Sequence, residues 1–323
     1  MANPNALACP DKFRGTLTAP EAAAAIAAGL RAAGIERVRE LPLADGGEGT
    51  LDALLAALGG ERNIARVTGP DGRPIDAEWG LLSDGRAVVE MAQASGLSLV
   101  AGRNDPLAAT TSGTGELIAA AARAGASEVI VGVGGSATTD GGLGAVEALG
   151  WSLPLPVTVA CDVSTPFLDS AGVFGPQKGA TPPQVELLTA RLEERAALYL
   201  GRVGVDVRSI PGSGAAGGLA GGLAAIGAVL RPGFDVVAEA VGFEPALAWA
   251  ELVVTGEGRL DATSLAGKVV GRVLEAASVP CGVVAGQVAP DLPELPGRPA
   301  VVALAGRTAE EAARELGLRL RTQ

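Results

Sequence analysis

Five apolar, strand-like runs in this chain each end in a short loop rich in aspartate and glycine: "CPDKFRG", "LADGGEGT", "VGGSATTDGG", "ACDVSTP" and "TGEGRLD". Strands that stop at such loops and are followed by helices build a parallel sheet with helices on its faces. In open sheets of that kind, ligands bind beyond the carboxyl ends of the strands. The loops carry Asp11, Asp45, Asp140, Asp162 and Asp261. Asp and Gly are also ordinary turn and cap residues, so any one loop reads equally well as a turn. Five in succession point to a lined cleft.

The rest of the pattern agrees with an α/β fold. "ALACP" is strand-like, and the following segment carries Thr18 and Glu21 at capping-box spacing with Pro20 in the first turn. The strand "VRELPL" and the helical run "TLDALLAALGG" follow. The residues 63–92 then hold three strand-like runs separated by the turn signals "GPDGRP" and "SDGR", which predicts antiparallel hairpins and a second domain. Alternation resumes with a helix over "TTSGTGELIAAAARAG", the strands "EVIVGV" and "VTVACD", and a helix capped by Thr181 and Gln184 with Pro182 inside it. Later come a glycine-rich helix start at "PGSGAAGG", a strand and polar loop at "AELVVTGEGRLD", and a helix over "SLAGKVVGRVLEAAS". Two final strands precede a helix capped by Thr308 and Glu311. The expected division is a Rossmann-like parallel domain with helices on both faces from 1–62 and 244–323, an inserted α/β domain with antiparallel hairpins over 63–243, and an active-site cleft between them.

Composition excludes several classes. With a net charge of −11, a pI near 4.7 and 3% aromatics, the chain lacks the basic footprint and stacking platforms of a nucleic-acid binder. No apolar stretch is long enough for a membrane helix, and the N-terminus lacks a signal-peptide pattern. Cys9, Cys161 and Cys281 are far apart without CxxC spacing, which suits a reducing, cytoplasmic setting with no zinc site. There is no histidine. Acid–base work therefore falls to Asp, Glu, Lys or the sole tyrosine, Tyr199.

Two phosphate-type motifs can be weighed directly. No Walker-A loop is present, since Ala262 stands six residues before Lys268 and Val269 follows it. "GSGAAG" at 212–217 matches the dinucleotide pattern GxGxxG with Asp235 beyond it, which keeps a dinucleotide-binding oxidoreductase open as an alternative. Lysine is the sharper clue. Only Lys12, Lys178 and Lys268 occur, each beside a glycine or a glycine-rich run. A compact ammonium suits phosphate, and phosphoryl transfer needs cations around the moving group plus a carboxylate to align the acceptor hydroxyl.

Taken in order, Pro10–Leu17, Ala44–Thr50, Thr111–Ile118, Gly134–Gly142, Ala160–Pro166, Phe174–Ala180, Gly214–Leu219, Thr255–Lys268 and Ala285–Gly286 resemble the motifs of the glycerate kinase family of the bacterial glycerate 2-kinase type. The match spans nearly the whole chain. The resemblance implies a two-domain α/β enzyme that uses ATP and Mg²⁺ to phosphorylate D-glycerate, as a monomer or homodimer. It implies 2-phosphoglycerate as product, with 3-phosphoglycerate or a related hydroxy acid as alternatives. On that basis Asp45 or Asp140 would align the glycerate hydroxyl, while Lys12 and Lys178 would neutralise the phosphoryl group. Arg14, Gly46, Gly47 and Asp162 would contact glycerate. Gly134, Gly135, Ser136, Gly256 and Lys268 would cradle phosphates or nucleotide, and Glu257 and Asp261 would meet Mg²⁺ or the ribose. The chain departs from the pattern at Lys12–Gly15, at Thr139 and over Ser264–Val270, and it lacks a stretch of longer members between Gly150 and Val157.

Overall fold

The structure, a computed structural model, describes residues 3–321. In chain order it begins β1 (Ala6–Ala8), α1 (Ala19–Ala32), β2 (Val38–Glu40), α2 (Thr50–Leu58), β3 (Gly60–Thr68), β4 (Pro74–Leu82) and β5 (Arg86–Glu90). It continues α3 (Ala92–Ser95), α4 (Ser112–Arg123), β6 (Glu128–Gly132), α5 (Leu143–Ala148), β7 (Val157–Ala160), α6 (Ser170–Phe174), α7 (Pro182–Val203) and α8 (Leu219–Ala225). It closes with β8 (Val229–Arg231), α9 (Gly233–Val241), α10 (Phe243–Trp249), β9 (Leu252–Leu260), α11 (Val269–Ala276), β10 (Cys281–Val288), β11 (Ala300–Ala303) and α12 (Ala309–Leu320). The chain forms two compact units. One comprises Met1–Asp45, Asp52–Leu58 and Phe234–Gln323; the other comprises Gly46–Leu51 and Gly59–Gly233.

The first unit is a five-stranded, wholly parallel sheet in the order β11-β10-β9-β1-β2. Its central strands β1, β9 and β10 bury both faces. Val284 of β10 packs with Ile26 and Leu30 of α1 and Leu316 of α12. Its neighbours Val283 and Ala285 turn the other way, onto Val270 and Leu274 of α11. Alternate residues of one strand thus serve opposite layers, the period of two that a pleated strand imposes. Capping boxes at Thr18/Glu21 and Thr308/Glu311 fix where α1 and α12 begin, as their spacing predicts.

The second unit is a six-stranded mixed sheet ordered β3-β4-β5-β6-β7-β8. The β3–β4 and β4–β5 pairs are antiparallel, and the remaining pairs are parallel. The turns fall at the two predicted signals. Val89, Val131 and Val159 pack against Leu117 and Ile118 of α4 and Leu219 of α8. A separate cluster around Phe167, Leu188, Leu192 and Tyr199 seats α7.

Two local expectations change. The "TGEGR" segment is strand, not loop, because β9 stays paired with β10 as far as Leu260 opposite Val288. The helix expected from Ser264 starts at Val269, since Asp261 and Ser264 close a separate short turn and Lys268 takes extended, cap-like dihedrals. Val229–Arg231 adds an edge strand to the second sheet.

Candidate active-site loops

In the first unit the chemistry-bearing residues gather where β1 and β9 end. Glu257 lies on β9 opposite Ala285 of β10 and is 8% exposed. Its Oε1 has no hydrogen-bond partner. Burial pushes its carboxyl up to about 7, against a hydrogen bond from Ser264, with Asp11 adding to the rise and Lys268 opposing it. Asp11 is tied to the same strand through its backbone N–H, which donates to Gly256 O at 2.9 Å. Its carboxyl accepts from Lys12 N at 2.7 Å. Burial raises it to about 6; the Lys12 charge counteracts this and Asp45 reinforces it. Two carboxyls whose pKa values burial raises thus lie within electrostatic reach of Lys12 and Lys268.

The other predicted residues of this unit surround that pair. Asp261 accepts from Thr263 N (2.9 Å) and Thr263 Oγ1 (2.7 Å) and faces Arg259 Nε at 3.3 Å. The Thr263 donors hold its carboxyl below the usual range. Lys268 donates to Thr263 Oγ1 at 3.0 Å. Gly256 is buried and Arg14 is exposed, with the Arg14 backbone packed over Gly258.

In the second unit the glycine loops interlock. A Cβ on Gly134 would lie 2.8 Å from Gly47 Cα, so the backbones of "GGEG" and "GGSAT" touch only because both lack side chains. Thr50 Oγ1 donates to Gly47 O at 2.7 Å, and buried Glu90 accepts from Leu51 N at 2.9 Å. Gly46 packs on Ala160 and Gly233, and Asp162 accepts from Gly233 N at 2.7 Å. Ser136 bridges to Gly96, and Leu97 N donates to Gly135 O at 2.8 Å. These contacts bring Gly46, Gly47, Gly134, Gly135 and Ser136 into one cluster.

The following stretch is pinned residue by residue. The Asp140 carboxylate accepts from Thr111 N (2.9 Å), Thr111 Oγ1 (2.8 Å), Gly142 N (3.0 Å) and Gly144 N (3.3 Å). Tyr199 OH donates to Gly141 O at 2.8 Å. Lys178 is 1% exposed, and its Nζ donates to Thr138 O at 2.6 Å. Burial drops its pKa to about 7 although Asp140 opposes the shift. Thr111, Asn104 and Ser264 are partners that the sequence reading assigned no role. Thr111 and Ser264 stand inside quoted motifs, but only Ser264 lies near a predicted acid, three residues from Asp261; Thr111 meets Asp140 across 29 residues, and Asn104 carries no local signal.

"GSGAAG" does not support a dinucleotide site. It follows a short helical turn at Val207–Ser209 where the fingerprint needs a strand, and Ala216, Gly217 and Gly218 form a left-handed turn before α8. Asp235 lies within α9 rather than at a strand end.

A glycerate kinase family model matches residues 6–154 and 152–315. The chain belongs to the glycerate kinase family. It is 41% identical to glycerate 2-kinase of Escherichia coli K12 over 298 residues, covering 80% of this chain and 78% of that protein. It is also 41% identical to glycerate kinase of Bacillus subtilis 168, covering 87% and 85%. A crystal structure from Salmonella typhimurium LT2, provisionally designated glycerate kinase 2, superposes with a TM-score of 0.84 at 33% identity over 99% of both chains. The matched residues include the loops whose geometry is described above. Among the described residues, no helix is long and apolar enough to cross a membrane.

Proposed function

We propose that this family member transfers the terminal phosphoryl group of ATP to D-glycerate, giving 2-phosphoglycerate and ADP. The observation that carries the reading is the likeness, over most of both chains, to a relative named glycerate 2-kinase. Two features of the loops support it: the buried, unpartnered carboxylate oxygen of Glu257 and the interlocked glycine backbones at Gly47 and Gly134.

The acceptor hydroxyl must lose a proton as its oxygen bonds to phosphorus. Asp45, which already acts on Asp11, is the carboxylate we assign to align that hydroxyl. Asp140 is the weaker choice, because its oxygens already accept from four donors. Arg14, exposed at its loop, suits the glycerate carboxylate through a bidentate guanidinium contact. We also assign Asp162 and the Gly46–Gly47 backbone to glycerate contacts. Lys12 would neutralise charge on the phosphoryl group, and Gly134, Gly135 and Ser136 would offer backbone donors to phosphate.

The donor set also fits Mg²⁺. This ion takes hard oxygens, commonly one or two carboxylates with the rest from phosphate and water. Among the described residues no cluster of three or more His, Cys, Asp or Glu could hold a metal alone, so the fit is of that sparse kind. Glu257 supplies an open oxygen with Asp11 beside it, whereas the Asp261 carboxylate is engaged by Thr263 and Arg259. When bound, the ion would withdraw charge from the phosphate oxygens. Gly256 and Lys268 border this carboxylate pair, and we place the nucleotide phosphates near them. The three free thiols suit a cytoplasmic enzyme.

The test is a coupled assay with Mg-ATP and D-glycerate, read through enolase with and without phosphoglycerate mutase. Signal with enolase alone is the expected result and identifies 2-phosphoglycerate. Signal only with mutase would make the product 3-phosphoglycerate. Absence of ADP in both would overturn the reading.

A further inference from the structure

We infer that Lys178 is a positioning residue that holds loop 137–142 through the Thr138 carbonyl, with Asn104 as the second pin of the same joint. The lysine sits in the short turn Pro176–Lys178, yet its side chain points inward and is 1% exposed. A buried ammonium is retained only where it is hydrogen-bonded or paired. Here Nζ donates to Thr138 O at 2.6 Å, and the charge is balanced by nearby Asp140.

The carbonyl it grips has little room to move. On its other side stands Gly217 at φ +70°, so close that a Cβ there would collide with Thr138 O. The neighbouring carbonyl is held as well. Asn104 Nδ2 donates to Ala137 O at 3.0 Å and to Lys178 O at 2.9 Å, so one amide ties the lysine's own backbone to the loop the lysine grips. Ala137 N donates to Ser95 O at 2.9 Å, and Gly141 N to Gly217 O at 3.0 Å. A segment without regular secondary structure therefore has its backbone fixed at successive residues from outside. To contact a phosphate instead, the ammonium would have to release Thr138 and leave its slot.

The catalytic consequence rests on the kinase reading, but the joint itself does not, and the test separates the two. Amide hydrogen exchange is measured on the full chain for the wild type, Asn104→Ala, Lys178→Met and Lys178→Arg, with the β9 amides as internal reference. The expected result is at least about tenfold faster exchange across Ala137–Gly142 in both Asn104→Ala and Lys178→Met, a local opening of the kind exchange resolves. Lys178→Arg should resemble Lys178→Met, because a planar guanidinium does not fit a slot closed around a compact ammonium. On substrate turnover, Asn104→Ala should then lower kcat in the same sense as Lys178→Met. Unchanged loop exchange in Asn104→Ala overturns the inference whatever the activity. A collapse of kcat in Lys178→Met with wild-type exchange, or retention of kcat by Lys178→Arg, also overturns it and places the ammonium on the substrate. Should Lys178→Met not fold, Asn104→Ala alone decides.

Discussion

The two loop clusters solve opposite electrostatic problems. In the first unit a carboxyl, Glu257, is buried with one oxygen unpartnered, and burial raises its pKa. In the second unit an ammonium, Lys178, is buried against a carbonyl it grips, and burial lowers its pKa. A buried polar atom without a partner is unfavourable unless something arrives to meet it, whereas a satisfied one rigidifies its surroundings. On the proposed function, the contrast separates a site that takes a ligand from one that holds a shape. The largest effect that could break it is Glu257→Gln, which keeps the size and the Ser264 neighbour but removes the charge. We expect kcat/KM to fall by at least about 10–100-fold, the loss that changing even a supporting residue of a metal site brings. The Mg²⁺ concentration needed for half-maximal rate should rise with it. Steady-state rates across a Mg²⁺ titration check this, and wild-type rates would remove Glu257 from the site.

Opposite shifts also give opposite slopes of stability with pH. Glu257 has a folded pKa near 7, above its ordinary 4.5, so its contribution is fully present below about 4.5 and is lost as pH rises through 7. Lys178 has a folded pKa near 7, below its ordinary 10.5, so its contribution is present above about 10.5 and is lost as pH falls through 7. Urea unfolding in EDTA should show Glu257→Gln flattening the acid-side fall and Lys178→Met flattening the alkaline-side rise. Two variants that flatten the same limb would erase the distinction between the clusters.

Much of the frame was readable from local pattern. Thr18 with Glu21, Thr181 with Gln184 and Thr308 with Glu311 are three residues apart, so chain-neighbour geometry alone places the helix starts. Glycines quoted for their loops do lie in loops that touch, as Gly47 and Gly134 show. What sequence did not reveal is non-local. Glu257 is buried because β9 remains paired with β10 past the point where a glycine-rich motif suggests a loop. Asn104 reaches Ala137 from 33 residues away and Tyr199 reaches Gly141 from 58, and nothing in either local pattern announces the partner. Lys178 was legible as an unusual residue, and its direction became clear only from the fold.

The smallest expected effects act as the control for the other two. Thr308→Ala and Thr181→Ala each delete a helix cap, on α12 of the first unit and α7 of the second, and each should lower stability by about 1 kcal/mol. Neither hydroxyl touches the loop clusters: Thr308 bonds to Glu311 and Thr181 to Gln184. Tyr199, which holds Gly141, lies near the far end of α7, beyond the reach of fraying in its first turn. Both variants should therefore keep wild-type kcat while their urea midpoints fall together. If Thr181→Ala lowers kcat as Asn104→Ala does, the loop of the second unit responds to any loss of stability, and specific pinning by Lys178 is no longer needed to explain it. If it leaves kcat alone, an equal loss of stability without loss of turnover ties the effect of Asn104 to the joint at Thr138.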